Sequence, residues 1–452
     1  MFDVNIKIIS ELKSFLEICM SDREVMSLCC NSRFDFIRNR KLSFDRLVLF
    51  IVKLCKKTLS VELDRFFEDE LKEASGACSV SAFSQQRKKL DHLFFQLWNE
   101  VLVKSFYHYG AAQTKRWRGY RVIAADGTAI SLIGTATLSQ YFGGQRNPQG
   151  AFTGAKAFLH YDVLNKLFTH AHLATYRTGE LTMAYPAVER LDADTITIYD
   201  RNFCNYKMVA LHRYAEEERR FVIRGKESQK FIADFIKSGH RSQEVNIVAT
   251  PSAIKGLRKC GFIVTPRTKL KVRLVRVELH NGTVEVLVTN LWESEGYDSE
   301  LFKDLYFMRW SIETGISILK NLFGLESFSG LAVHAVKQDF YATIFTSNLS
   351  SLIMQQQEET PAVEQIQKKP LGRPKTRNWP MQINMNKATA RVRDKLVGLL
   401  IAKKPEQILR SLSEYFKKHQ LPIRTGRSFP RKRQHRQSFC KHRTFPNYKA
   451  AT

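Results

Sequence analysis

The chain has 452 residues, 44% of them hydrophobic, so it can bury a large core and exceeds the size of one domain, which is commonly about 100 to 200 residues. It carries 71 Lys and Arg against 44 Asp and Glu, and this net charge of +27 favours a polyanionic partner, with nucleic acid as the first candidate and an anionic membrane surface as the alternative. No run of about 18 apolar residues occurs and acids interrupt the first apolar stretch, so we expect a cytoplasmic protein with neither a membrane span nor a signal peptide.

Residues 1–112 predict an all-helical N-terminal domain, because apolar residues recur at helical spacing up to a final segment that ends at Gly110. Arg87, Lys88 and Lys89 stand near the start of that last helix. We expect these three cations to project from the helix and contact DNA, which makes this a predicted DNA-binding domain. A solvated charged face is the alternative.

The chain then becomes rich in β-branched residues. Residues 121–132, RVIAADGTAISL, predict a strand that leads to Asp126. A hairpin and a helix follow, and TITIY at 195–199 predicts a second strand that ends at Asp200. Strand ends in α/β layers are where catalytic groups collect, so both carboxylates are predicted to face a cleft.

Residues 299–324, SELFKDLYFMRWSIETGISILKNLFG, predict one long helix with one buried stripe, since apolar residues recur in steps of three and four. Tyr306, Arg309, Glu313 and Lys320 form a second stripe, within an arc of roughly 60° and over about 21 Å, and are predicted to face outward along one line. The phenol, guanidinium and ammonium suit phosphate oxygens, and the carboxylate suits a metal ion. A charged helix flank is the alternative.

The order Tyr, two residues, Arg, three residues, Glu, six residues, Lys resembles the glutamate helix of the DDE transposases of bacterial insertion sequences, in the insertion sequence four family. Asp126 stands in an Asp-Gly-Thr context and Asp200 precedes an Arg and an aromatic residue, as the two family aspartates commonly do. Four other acids are less suited, because two precede a strand, one faces away from the stripe of Glu313 and one lies in a loop-like stretch. These are Asp192, Asp194, Asp304 and Glu180.

The chain thus predicts a strand with an Asp, a hairpin, a helix, a second strand with an Asp and, later, a helix with a Glu. This is the order of elements in a ribonuclease-H-like fold. We therefore expect an α/β fold with a mixed sheet, helices on both faces, a β-rich insertion before the glutamate helix and the all-helical N-terminal domain. We place the catalytic domain at residues 113–354, with the insertion at about 218–297. A linker at 355–380, C-terminal helices at 381–420 and a basic tail at 421–452 follow.

Further residues are predicted to bind DNA. Arg201 follows the second aspartate, and Arg224 belongs to the basic insertion. Trp292 is a candidate for stacking on an extruded base, with a buried structural Trp as the alternative. Arg373 lies in a linker segment that resembles an AT-hook and is predicted to enter the minor groove.

The predicted mechanism is metal-dependent cleavage of phosphodiesters. We expect Asp126, Asp200 and Glu313 to hold two Mg²⁺ ions about 3.5 to 4 Å apart, with Mn²⁺ as a substitute, while Tyr306, Arg309 and Lys320 grip phosphates. The family resemblance implies cutting at the terminal inverted repeats of the element, a hairpin intermediate, joining to target DNA, a homodimer on DNA, and a bacterial, nucleoid-associated protein.

Three competing functions follow from the same residues. A ribonuclease-H-like nuclease would use the same acids, and a transposase-derived DNA-binding protein would have lost catalysis. A tyrosine recombinase would use Tyr306 as nucleophile, but it depends on a His-x-x-Arg element, and none of the twelve histidines has Arg at the third following position.

Overall fold

The computed structural model describes residues 1–38, 40–54, 58–73, 76–147, 150–279, 282–358 and 380–423. Arg373 and residues 424–452 of the predicted tail lie outside these ranges. The chain divides into two compact units. The helical unit comprises Met1–Thr114, Ser131–Gly154 and the described residues from Ile318 onward, and the sheet unit comprises Lys115–Ile130 and Ala155–Ser317.

Helices and strands alternate after an all-helical start. The helices are α1 Phe2–Ser21, α2 Arg23–Leu28, α3 Phe44–Val52, α4 Leu59–Arg65, α5 Val80–Arg87, α6 Leu93–Tyr109, α7 Ala136–Phe142, α8 Glu180–Ala187, α9 Tyr206–Arg213, α10 Lys230–Ser238, α11 Pro251–Arg258, α12 Leu301–Phe307, α13 Trp310–Asn321, α14 Val333–Glu358, α15 Met385–Ile401 and α16 Glu406–Lys418. The strands are β1 Arg121–Leu132, β2 Gly144–Asn147, β3 Gly150–Asp162, β4 Leu167–Thr175, β5 Thr195–Tyr199, β6 Arg220–Arg224, β7 Ser242–Val248, β8 Lys269–Glu278, β9 Val284–Thr289, β10 Met381–Ile383 and β11 Gln420–Pro422. None of the helices described is long and apolar enough to cross a membrane.

Helix α14 is the centre of the helical unit. It contacts α1, α3, α6, α7, α15 and α16, and a helix that is contacted from several sides buries most of its surface. Phe345 of α14 stacks on Trp98 of α6 with ring centroids 4.1 Å apart, and the indole N–H of Trp98 donates to the carbonyl of Leu12 at 3.0 Å. These contacts join α1, α6 and α14 in one core.

Arg87 does not project from its helix, and this prediction was wrong. Its side chain is buried, and its Nε donates to Gln338 Oε1 at 2.7 Å. One Nη donates to Ser329 Oγ at 2.6 Å and the other pairs with Asp339 Oδ1 at 2.5 Å. The predicted helix is also divided, because α5 ends at Arg87 and α6 begins only at Leu93. A charge this far from water needs a partner, and Asp339 provides it.

A nine-stranded mixed sheet has the order β2-β3-β1-β5-β6-β9-β8-β7, and β4 pairs with β3. Strands β1, β5 and β6 are parallel, whereas β3 and β4 form an antiparallel hairpin. The elements follow one another in the predicted order. Strand β1 contains Asp126, the hairpin of β3 and β4 and helix α8 come next, β5 leads to Asp200, and Glu313 lies on the later helix α13. The mixed sheet with helices on both faces confirms the predicted ribonuclease-H-like fold.

The region predicted as a β-rich insertion between Asp200 and Glu313 contains the strands β6 to β9. They continue the central sheet, since β6 pairs with β5 on one side and with β9 on the other. Helices α10 and α11 lie between these strands in the chain, which the strand-based prediction did not include. Apolar residues of α8 to α11 share one buried cluster with β1, β5, β6, β8 and β9. This cluster is the core on one face of the sheet.

The predicted long helix at 299–324 is two helices. Helix α12 ends at Phe307 and α13 begins at Trp310, with a short turn between them in which the N–H of Arg309 donates to the carbonyl of Tyr306 at 3.0 Å. Apolar periodicity continues across this turn, because one buried stripe can serve two consecutive helices that cover the same core. Periodicity alone therefore did not reveal the break.

Candidate active site

Asp200 directly follows β5, but Asp126 lies inside β1, which continues to Leu132, so the prediction that Asp126 ends a strand was wrong. The parallel pairing of β1 with β5 nevertheless ends just before both aspartates. The register of β1 and β5 places Ala125 opposite Tyr199, and the two aspartates come next in the chain. Their Cα atoms are therefore expected about 4.8 Å apart, the spacing between strands. Because side chains alternate between faces, both carboxylates leave the sheet on the face opposite Ala125 and Tyr199, which belong to the core beneath α8 to α11.

The Asp126 carboxyl is partly buried, and its Oδ1 accepts a hydrogen bond from the Gly127 N–H at 2.8 Å. The pKa of Asp126 is raised to about 6, mainly by burial, with the charges of Glu180 and Asp200 adding to the rise, although the Gly127 N–H and the Arg309 guanidinium oppose it. Two neighbouring carboxylates thus disfavour ionisation of Asp126. A bound cation would reverse this by favouring the charged form.

Tyr306 and Arg309 lie at the junction of α12 and α13, and both side chains are buried. One Nη of Arg309 is 3.3 Å from Glu313 Oε1. Among the buried atoms of the described residues, the Tyr306 hydroxyl and Arg309 Nε have no hydrogen-bond partner. Burial raises the pKa of Tyr306, so its hydroxyl stays protonated. Two donors near the aspartates are therefore left for an acceptor such as a phosphate oxygen.

Carboxylate oxygens are the ligands that hard divalent cations prefer, so Asp126, Asp200 and Glu313 have suitable donor chemistry. In the part of the chain that the structure describes, no group of three or more His, Cys, Asp or Glu side chains is placed to hold a metal ion. The two aspartates are neighbours, but Glu313 pairs with Arg309. The chemistry of this donor set fits a divalent cation.

The four residues of the predicted stripe do not face outward along one line. Tyr306 and Arg309 are buried, whereas Glu313 is partly exposed. Lys320 follows on the last turn of α13, in the helical unit, with its Nζ 3.3 Å from Glu326 Oε1. The break between α12 and α13 lies between Tyr306 and Glu313, so the residue spacing of one continuous helix does not hold across the four positions.

Glu180, which sequence reasoning set aside as part of a loop, lies beside this site. It is the first residue of α8, and a Cβ on Gly127 would stand 2.9 Å from its Cγ and 3.0 Å from its Oε1. Its charge contributes to the raised pKa of Asp126. The sequence signal for its position is an acid directly after Gly179 at the start of an apolar stretch, as is typical of a first helical turn.

A cavity of about 440 Å³ lies next to Arg201, the residue after Asp200. Arg224 and Lys226 also line this cavity, and Arg224 Nη1 pairs with Glu285 Oε1 at 2.9 Å. The structure thus brings two of the predicted DNA-binding residues, Arg201 and Arg224, to one cavity of the sheet unit, which Glu227 and Glu285 also line.

Trp292 is half-buried between two cations. The Arg213 guanidinium lies 5.7 Å and the Lys271 ammonium 5.2 Å from its ring centroid. Both distances are within the range of a cation–π contact. Two aromatic residues that the sequence analysis did not select, Phe307 and Trp310, are exposed next to Arg309.

The chain belongs to the Transposase DDE domain family, whose model matches residues 117–349, more than half of its 452 residues. The matched range contains Asp126, Asp200 and Glu313. This protein is therefore a DDE transposase.

Two known proteins are similar to this chain over most of its length. It is 22% identical over 423 residues to Transposase InsG for insertion sequence element IS4 of Escherichia coli (strain K12), an alignment that covers 91% of this chain and 89% of InsG, and the resemblance to the insertion sequence four family is thereby confirmed. A solved structure of the piggyBac transposase synaptic complex with hairpin DNA is similar over 95% of this chain and 86% of that one, with 13% identity and a TM-score of 0.41.

Proposed function

We propose that this transposase cuts DNA at the ends of its insertion sequence by metal-dependent hydrolysis of phosphodiesters and joins the freed ends to target DNA. The observation that carries the proposal is that Asp126 and Asp200 follow the last paired residues of β1 and β5, close to two buried donors without partners, the Tyr306 hydroxyl and Arg309 Nε. Paired carboxylates suit a divalent cation, and unpartnered donors suit the oxygens of a phosphodiester.

Asp126 and Asp200, with Glu313 as the third ligand, would hold two Mg²⁺ ions, for which Mn²⁺ would substitute. When bound, the ions supply an activated water and neutralise charge on the leaving oxygen. Arg309 would exchange Glu313 for a phosphate oxygen, which frees the Glu313 carboxylate as the DNA arrives. The Tyr306 hydroxyl would donate to a second oxygen of the same phosphate and fix its orientation.

Other contacts would hold the DNA along its backbone. The cavity lined by Arg201 and Arg224 carries the charge needed for phosphates near Asp200. Lys320 is proposed to bind a phosphate after release from Glu326. Stacking by Trp292 and minor-groove binding by Arg373 stay predictions.

The proposed DNA partners are the terminal inverted repeats of the element and the target DNA. We further propose a hairpin intermediate. We also propose a homodimer on DNA, because two ends must be cut in concert. A protein with these substrates would act in the bacterial cytoplasm, at the nucleoid.

The proposal is tested by a cleavage assay on linear duplex DNA that carries the genomic sequences flanking the coding region on both sides. Cleavage should require Mg²⁺ or Mn²⁺ and stop with a chelator. Asp126→Ala and Glu313→Ala should each lower the cleavage rate by at least about 10³-fold while binding persists. The matched control is Asp304→Ala on α12, an exposed acid that should leave the rate unchanged.

Two outcomes would change the proposal. Cleavage by Asp126→Ala at the wild-type rate would remove this residue from the mechanism. Cut ends that are never joined to a second DNA, in reactions that contain both ends and a target plasmid, would leave a nuclease of the same fold.

A further inference from the structure

A basic groove of about 360 Å³ lies in the helical unit, between the loop that follows α2 and the end of α5. We name it the loop groove. Its lining contains three cations, and no acid is among its described lining residues. These residues are Phe34, Phe36, Ile37, Arg38, Arg40, Gln86 and Lys89.

The loop that forms one wall is held in a defined conformation. One Nη of Arg23 donates to the carbonyl of Arg33 at 2.9 Å, and the Phe36 ring packs edge-on against Phe44 with centroids 5.4 Å apart. Phe36 has a φ of 55°, a left-handed backbone that a non-glycine residue rarely adopts. The contact of the half-buried Phe36 with the buried Phe44 ties this loop to the helical core.

Two apolar side chains on this loop stay in solvent. Phe34 is 67% exposed and Ile37 is 58% exposed. The Arg33 guanidinium lies 4.8 Å from the Phe34 ring centroid and covers part of it. Exposed apolar side chains on an anchored loop, within a cationic surface, are typical of a binding surface.

We propose that the loop groove binds duplex DNA across the minor groove, an inference that rests on the proposed DNA substrate. Arg38, Arg40 and Lys89 would contact phosphates of the two strands, and Phe34 and Ile37 would contact sugars and base edges between them. Cations flanking a short apolar wedge are the combination that minor-groove binders use. Single-strand binders use rows of aromatic rings, whereas in this loop Arg33 covers part of the Phe34 ring and the Phe36 ring packs edge-on against Phe44.

This surface differs from the α5 surface that the sequence predicted. Arg87, the first of the three predicted cations, is buried against Asp339 and is unavailable to DNA. Lys89 lines the loop groove, so the chain reaches DNA through the loop after α2 and the end of α5 together.

The test measures binding of the full chain to fluorescent duplex DNA without divalent cations, by anisotropy over a salt series. One duplex carries the genomic flank of the coding region and a second has random sequence. Phe34→Ala with Ile37→Ala should weaken binding roughly tenfold, because an aromatic and an aliphatic side chain lose their burial, and should leave the salt slope unchanged. Arg38→Gln should also weaken binding and should reduce the salt slope by about 1.

Matched controls lie on other helices of the same unit. Ile401→Ala removes an apolar side chain of α15 that is 43% exposed, and Lys417→Gln removes an exposed cation of α16. Both should bind DNA like the wild type. Thermal melting of all variants shows whether weaker binding reflects lost structure. A second measurement does not depend on shortening a side chain. A benzophenone amino acid in place of Phe34 should cross-link to duplex DNA on irradiation.

Wild-type affinity in the Phe34, Ile37 and Arg38 variants, or no cross-link from position 34, would overturn the inference. Loss of affinity for single-stranded DNA but not for duplex would overturn it as well. A wild-type chain that binds the duplexes but never cleaves them would contradict the proposed function, but it would not contradict DNA binding by the loop groove. A wild-type chain that binds neither duplex would contradict both.

Discussion

The raised pKa of Asp126 ties the stability of the sheet unit to pH. This pKa is about 6 in the folded chain against 3.8 for an ordinary Asp, so the folded state binds the proton more tightly than the unfolded chain. The stabilisation is fully present below a pH of about 4 and is lost as the pH rises through about 6. Above that pH the ionised, partly buried carboxylate destabilises the fold.

Asp126→Asn should therefore raise the free energy of unfolding at pH 8, in the absence of divalent cations, by roughly 1 to 2 kcal/mol, since partial exposure reduces the full effect of the shift. At pH 5 the difference should be clearly smaller. Urea unfolding at the two pH values measures it, with Asp304→Asn as the control for an exposed carboxylate. An equal effect at both pH values would show that burial of the charge is not its origin.

Gly127 and Glu180 form a second residue-scale test. Nothing in the backbone of Gly127 requires glycine, because its φ is not positive, but a Cβ there would stand 2.9 Å from Glu180 Cγ. Gly127→Ala should destabilise the chain by about 1 kcal/mol, and the same change in a Glu180→Ala background should be nearly neutral. A double-mutant cycle from urea unfolding gives the coupling energy. Additive effects would mean that Glu180 does not occupy this space.

At the scale of elements, the position of Glu313 depends on how closely α13 approaches the hairpin of β3 and β4. A Cβ on Gly315 would stand 3.2 Å from ring atoms of both Tyr161 and Phe168. That distance is too short for ordinary van der Waals contact, so α13 or the rings must move. Glycine is retained in this helix although its helix propensity is poor.

Gly315→Ala should therefore lower stability or leave it unchanged, despite a propensity gain of about 1 kcal/mol, and should slow cleavage because α13 carries Glu313. Gly398→Ala in α15 is the matched control, since its Cβ would lie 3.5 Å from Ile408 in ordinary contact. This control should stabilise the chain by about 0.5 to 1 kcal/mol. Equal stabilisation by both changes would show that a methyl group fits between α13 and the rings of Tyr161 and Phe168.

At the scale of the whole molecule, the net charge of +27 predicts strongly salt-dependent binding to DNA. If about six or more phosphates are contacted, affinity for random-sequence duplex should fall by roughly 10³-fold or more between 50 and 200 mM salt. Anisotropy titrations of the full chain measure this slope. A slope corresponding to only one or two phosphates would show that most of the charge lies away from the DNA.

The fold and the two aspartates were accessible from the sequence for a local reason. Each aspartate directly follows a run of β-prone residues, and the chain order of strands and helices defines the topology of the sheet. The parallel pairing of β1 with β5 then follows from the fold. This pairing brings Asp126 next to Asp200, although they are 74 positions apart in the chain.

Other features depended on partners that are distant in the chain. The turn between α12 and α13 is invisible to periodicity, because one apolar stripe covers the core on both sides of it. The burial of Arg87 depends on Asp339, 252 residues away. The position of Glu180 depends on the close approach of its side chain to Gly127. Local patterns report which face of an element is apolar, but they do not report which distant group will neutralise a charge.

By itself, the sequence determined the class of fold, the order of most of its elements, the two aspartates that follow runs of β-prone residues and the excess of positive charge, since short-range patterns and composition define each of these. Only the tertiary structure decided that Arg87 is paired with Asp339, that Tyr306 is buried and that Glu180 lies next to Asp126. These are contacts whose energies depend on burial and on charges brought close by packing, and chain folding alone defines both.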